Sequence, residues 1–207
     1  HTLPDSIGNL TNLRRIRLNH NQLHTLPDSI GNLNFLEFVD LSNNQLAFLP
    51  DSIGNWNECM KLNLSYNILL SLPDSIGNLE RNRFDFDDIG NGLELNLSHN
   101  RLTSLPEFRI STDGTLDLSH NRFVTFPSGI IHSYKIGNEI ADVDLSHNRL
   151  TTLPDSIEDM EVLERLILNH NQLTSLPDTM PRLYILDLSH NRLTTLPELG
   201  NRWEGMD

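Results

Sequence analysis

Residues 13–27 read LRRIRLNHNQLHTLP, and residues 163–177 read LERLILNHNQLTSLP. Apolar side chains stand at Leu13, Ile16, Leu18, Leu23 and Leu26 in the first, and at Leu163, Leu166, Leu168, Leu173 and Leu176 in the second. Asn21 or Asn171 falls three residues after the third apolar position, and Pro27 or Pro177 closes the stretch. The central x-L-x-L-x alternates with period two. On an extended backbone that sends the leucines to one face and residues such as Arg17 and Ile167 to the other. The pattern predicts one short strand in each stretch.

Moving outward along the chain, the same wording returns. Nine prolines follow Leu or Phe, at 4, 27, 50, 73, 106, 127, 154, 177 and 197, with spacings of 23, 23, 23, 33, 21, 27, 23 and 20 residues. An Asn series at 21, 44, 67, 100, 121, 148, 171 and 191 keeps step with them. A single unit cannot bury its leucine face alone, so neighbouring units must stack. This period and spacing resemble the leucine-rich repeat, and the resemblance covers the chain except near 80–92 and 201–207. It implies an α/β fold: a right-handed solenoid, a curved horseshoe with a parallel sheet on the concave face and short turns or 3₁₀ helices on the convex face. We read one domain over 1–207 with about eight strand-bearing repeats.

The resemblance gives the recurring Asn a structural task. Asn21, Asn44, Asn67, Asn100, Asn121, Asn148, Asn171 and Asn191 are expected to form an inward ladder that pairs backbone groups of adjacent turns. Each buried group left unpaired would cost roughly 1–3 kcal/mol. The segment LPDSIGN occurs at 3–9, 26–32, 49–55 and 72–78. There proline fixes φ, Asp or Ser is expected to cap a short helical turn, and Gly to end it.

The pattern has defects. The interval from Asn67 to Asn100 carries ten residues beyond the usual 23, which predicts an insertion at 80–92. Asp85, Asp87 and Gly90 there give a superficial calcium-loop match, but the fifth position is Ile89 and the twelfth is Asn96, where such a loop wants a bidentate Glu. Ser128–Ile140 holds a smaller expansion, and Gly92 and Asp113 replace the first leucine of their units. Both ends read as cut within a unit, without caps, as expected of a piece of a longer protein.

With 28 acidic against 15 basic residues the net charge is −13, which repels a phosphate backbone and excludes nucleic acid as an expected partner. No run reaches the ~18 apolar residues of a membrane span, so no membrane partner is expected. The lone Cys59 sits at a leucine position, reads as a buried apolar substitute and forms no internal disulfide, which favours a cytoplasmic setting. No nucleophile has a dedicated base, and no glycine-rich elbow or phosphate cradle is present. We expect no enzyme and no cofactor.

Outward residues of the strands are the candidate site. The residue between the second and third leucines reads Arg17, Asp40, Asn63, Asn96, Asp117, Asp144, Ile167, Asp187. Adjacent strands lie about 4.8 Å apart, so Asp117 and Asp144 repel unless a cation or basic partner answers them. Glu37, Glu94, Asp142 and Glu164 widen this acid stripe, while Arg14, Arg15 and Arg17 form a basic cluster. Phe38, Met60 and Tyr66 near the start, and Ile167, Tyr184 and Ile185 near the end, supply apolar anchors of the kind that form interface hot spots. The residue before each ladder Asn reads His20, Asn43, Tyr66, His99, His120, His147, His170, His190. That column invites a metal, but no second motif completes a ligand set, so none is expected. Acid below about pH 6.5 would add charge along it.

The expected function is a protein-binding module that takes a partner with a basic surface on its concave face. The LPDSIGNL wording resembles intracellular Ras-group scaffolds. The 20-residue unit ending LTTLPEL resembles repeats of bacterial effectors, which implies substrate recognition for a ubiquitin ligase domain and a location in host cytosol. A structural, self-associating solenoid is the competing expectation, and the oligomeric state is left open.

Overall fold

A computed structural model describes residues 1–79, 93–107, 114–134 and 140–197, with the backbone alone at 132–134. The insertion read at 80–92, its calcium-like residues up to Gly90, and Gly92 and Asp113 lie outside the described residues.

Among the described residues, eight strands form one parallel sheet in chain order: β1 (Arg15–Arg17), β2 (Phe38–Asp40), β3 (Lys61–Asn63), β4 (Glu94–Asn96), β5 (Gly114–Asp117), β6 (Ile140–Asp144), β7 (Arg165–Ile167) and β8 (Ile185–Asp187). Each strand comes from one turn of the solenoid. Register is fixed by the central apolar residue, because a slip of one position would turn the leucines to solvent. Ile16, Val39, Leu62, Leu95, Leu116, Val143, Leu166 and Leu186 therefore lie side by side. The ladder is irregular between β5 and β6, where Gly114 pairs with Ile140 but Thr115 with Asp142, leaving Ala141 as an extra residue.

The core runs unbroken under the sheet, with Leu33, Leu36, Leu46, Leu62, Leu64 and Leu69 fully buried. Trp56 fills a position that Leu10, Leu33 and Leu79 hold in neighbouring units. Its ring nitrogen donates to the Ile30 carbonyl at 3.1 Å, so its polar atom is buried with a partner.

Opposite the sheet lie 3₁₀ turns at Asp5–Asn9, Asp28–Asn32, Asp51–Asn55, Asp74–Asn78 and Asp155–Asp159. Here two expectations are corrected. Neither Asp nor Ser caps these turns through its side chain; the N-cap is the proline, extended at φ near −71° and ψ near 150°. Glycine does not end them either, since it stands inside the turn and the cap is Leu or Trp. Its reason is proximity: a Cβ added to Gly31 would sit 2.5 Å from the carbonyl oxygen of Ser52, and one at Gly54 2.6 Å from that of Ser75. Glycine lets consecutive turns touch. The 27-residue unit departs from this pattern and carries a seven-residue helix, α1 (Ser128–Tyr134).

Candidate functional site

Two outward rows flank the buried central residues. The first runs Arg15, Phe38, Lys61, Glu94, Thr115, Asp142, Arg165, Ile185; the second runs Arg17, Asp40, Asn63, Asn96, Asp117, Asp144, Ile167, Asp187. Phe38 and Asp142 thus lie in one row, and Arg17, Asp40, Asp117, Asp144, Ile167 and Asp187 in the other. Arg14 and Tyr184 precede their strands, and Arg14 is ion-paired with Glu37. Tyr184 is 69% exposed and Ile185 48% exposed, each available to an interface. Tyr66 belongs to neither row and stands in the column beside the ladder Asn.

Among the described residues, grooves of opposite charge lie on the face. One, about 410 Å³, lies over β1–β3 and is lined by Arg15, Arg17, Phe38, Asp40, Lys61 and Asn63. The Arg15 guanidinium lies 4.6 Å from the Phe38 ring centroid, a cation–π contact. Lys61 reaches Glu94 at 2.5 Å. The other, about 240 Å³, is lined over β5–β7 by Thr115, Asp117, Asp142, Asp144, Arg165 and Ile167. Lys61, Thr115 and Arg165 were not singled out in the sequence, although each stands two residues before a position in the second row.

The second row also has a local task. Asp40 Oδ1 accepts from the Ser42 backbone N–H at 3.1 Å and from its hydroxyl at 2.7 Å. Asn63 and Asn96 accept the same pair of bonds from Ser65 and Ser98. Asp117, Asp144 and Asp187 accept from the N–H of Ser119, Ser146 and Ser189 at 3.0, 2.8 and 2.9 Å. Such Asx turns fasten the chain as it leaves the strand. Asp and Asn serve equally because one oxygen suffices. In the two units without Asp or Asn in this row, at Arg17 and Ile167, the residue two further on is Asn19 or Asn169 instead of Ser. The Ser189 backbone and hydroxyl bonds hold the Asp187 carboxyl below the usual range. Asp40, Asp117, Asp144 and Asp187 therefore each secure their own turn with one oxygen, and the second takes no part in that turn.

Beyond the serines lies the column of His20, Asn43, Tyr66, His99, His120, His147, His170 and His190, all left-handed at φ 53–56°. That conformation costs an L-residue roughly 1–2 kcal/mol, least for Asn, Asp and His, which accounts for most residue types seen here. From Tyr66 onward the rings stack face to face, with successive centroids 3.9, 4.0, 4.1, 4.2 and 4.2 Å apart. His120, His147 and His170 titrate below the ordinary value, through partial desolvation first and the charge of neighbouring imidazoles second. Nitrogen lone pairs lie in the ring planes, so near-parallel rings do not aim them at one point. Among the described residues no three His, Cys, Asp or Glu side chains have metal-binding spacing.

Next comes the asparagine ladder. Asn44 Nδ2 donates to the Leu18 carbonyl of the preceding turn at 2.9 Å and to its own Leu41 carbonyl at 3.0 Å, while its Oδ1 accepts from the Leu23 N–H at 3.0 Å. Asn67, Asn100, Asn121, Asn148, Asn171 and Asn191 repeat the clasp. Asn21 bonds the Leu18 and Asn19 carbonyls of its own turn.

The sequence matches models of a leucine-rich repeat region over residues 2–83, a single leucine-rich repeat over 140–160 and a two-copy repeat over 161–201. The chain is a leucine-rich repeat protein. Among solved structures this repeat protein is similar to the Arabidopsis receptor kinase HAESA, solved with the peptide hormone IDA and the co-receptor SERK1, at 27% identity and a TM-score of 0.67. That match covers 94% of this chain and 32% of HAESA. A plant ice-binding protein shares the fold at 23% identity and a TM-score of 0.63, over 97% of this chain and 72% of its own. No curated protein matches the sequence.

Two further features bear on chemistry in this repeat protein. Cys59 is 3% exposed, and burial pushes its thiol up to about 12, against a smaller lowering by a backbone bond from Lys61. It is therefore a protonated, apolar filler at neutral pH. Among the described residues no helix is long and apolar enough to cross a membrane.

Proposed function

We propose that this leucine-rich repeat protein binds a protein or peptide along its strand face. The supporting observation is the first outward row. Its eight in-register positions hold Arg, Phe, Lys, Glu, Thr, Asp, Arg and Ile, while the central positions beside them hold only Leu, Ile or Val. Neither the core nor the Asx turns dictate that row, so its variety is free to encode a partner. Asp142, with the second oxygens of Asp117 and Asp144, offers an acidic patch to a basic segment of the partner, and Arg15, Phe38 and Lys61 offer an anchor for a second segment. HAESA, with a similar fold, is solved with a peptide hormone, which supports the same class of ligand. Location in the cytoplasm is part of this reading.

A display library of random peptides selected on the chain tests it. Selected peptides should carry basic residues, and an Asp142→Lys/Asp144→Lys variant should bind them at least about tenfold more weakly, the scale of a lost pair of close charge contacts. Peptides that bind this variant and an Arg15→Glu/Lys61→Glu variant as tightly as the parent chain would overturn the proposal.

A further inference from the structure

The left-handed position before each ladder Asn asks for a residue that tolerates positive φ, and Asn43 meets that need without a ring. Five consecutive units instead place histidine there, stacked on one another and on Tyr66 at about 4 Å. The backbone does not require an imidazole, so the rings add something the fold alone does not need. We propose that the stacked column is a proton-operated latch. Neutral rings bind the turns of β4–β8 to one another, and acid, by charging adjacent rings, loosens them.

Charge around the column decides the order of events. Asp117 and Asp144 lie near His120, Asp144 near His147, and Asp187 near both His170 and His190; each favours a proton on its neighbour. Neighbouring imidazoles disfavour it, and Arg101, Arg122, Arg149 and Arg192 follow two residues beyond their rings in the chain. The Asn169 amide lies 3.2 Å from His170 Nδ1. A first proton is thus accommodated by an aspartate, but a second on the next ring faces a like charge about 4 Å away. Protons should enter at alternate rings first, and the column should titrate as a coupled set over a wide pH range.

The sign follows from where protons bind. Unfolded histidines take protons near pH 6.5, whereas His120, His147 and His170 in the fold take them lower. Between those values the unfolded chain holds more protons, so the column's contribution to stability is present above pH 6.5 and is lost as the pH falls through that window.

The experiment needs no partner and stands apart from the binding proposal. Thermal unfolding of the chain at pH 7.5 and 5.5 is compared with that of a five-Asn variant (His99→Asn, His120→Asn, His147→Asn, His170→Asn and His190→Asn), and of His120→Asn/His170→Asn, which separates the remaining histidines. The parent Tm should fall by roughly 3 °C or more on acidification, the five-Asn variant by less than a third as much, and the double variant by an intermediate amount. Histidine NMR titrations of the parent should show Hill coefficients below 1 that return towards 1 in the double variant. Equal Tm falls in all chains, or independent titration of every ring in the parent, would overturn the latch and leave the column as a repeated wording with no response to acid.

Discussion

The early and late turns of the solenoid are regular on opposite sides. Before β4 the turns opposite the sheet are identical in wording, and Gly8, Gly31 and Gly54 each nest against Ser29, Ser52 or Ser75 of the next unit. The column beside their ladder is mixed, with His20, Asn43 and Tyr66. Beyond β4 the order reverses. α1 and a turn reading DSIED interrupt the back, with Glu158 where glycine stood, while the front carries an unbroken run of stacked histidines. A stacked repeat needs close complementary contact at each interface, and these two halves obtain it from different faces. The asparagine clasp is what they share.

Removing the shared element should cost most and should cost both halves alike. Asn121→Ala leaves the Leu97 and Leu118 carbonyls and the Leu102 N–H without their amide partner. We expect a loss of about 3 kcal/mol in urea unfolding, and a similar loss for Asn67→Ala. A twofold difference between them would show that one half relies on its clasp more than the other. Next in size is a change confined to the early turns. Gly54→Ala drives a methyl into the Ser75 carbonyl and should cost about 2 kcal/mol, whereas Glu158→Ala, exposed in the late half, should stay within about 0.5 kcal/mol. Equal costs would erase the contrast between the two backs. The smallest effect separates fastening from charge in the second row. Asp144→Ala, which loses the bond from Ser146, should cost about 1 kcal/mol, and Asp144→Asn, which keeps an acceptor there, close to nothing at pH 7. If both cost the same, the carboxylate charge rather than the turn is what matters.

Much of this architecture was legible because geometry repeats its demands on residue type. The alternation around Ile16 and Leu166 specifies strands, and the Asn series marks where a turn needs a side chain with both donor and acceptor. Glycine in DSIGN was misread as a turn ender because its true neighbour, a serine 21 residues on, becomes adjacent only once turns are stacked. α1 was not placed as an α-helix, since SGIIHSY follows its proline as the other turns do but lacks their DSIGN wording, and only the longer interval hinted at room for it. At the candidate site the second row was visible as a row, but not its fastening role. The signal was present all the same: Asp or Asn followed two residues later by Ser, against Arg17 or Ile167 followed by Asn. The first row was harder to see because its variety carries no internal pattern.

The asparagine clasp has a mechanical corollary. Beyond its own turn, each carboxamide from Asn44 onward reaches only the turn before it, so an end turn is held by one such interface where an inner turn is held by two, and it yields first when the solenoid is pulled from its ends. Such a rod yields like a zip, releasing one turn of 20 to 33 residues at a time, and each surviving turn is a template on which the released length can re-form.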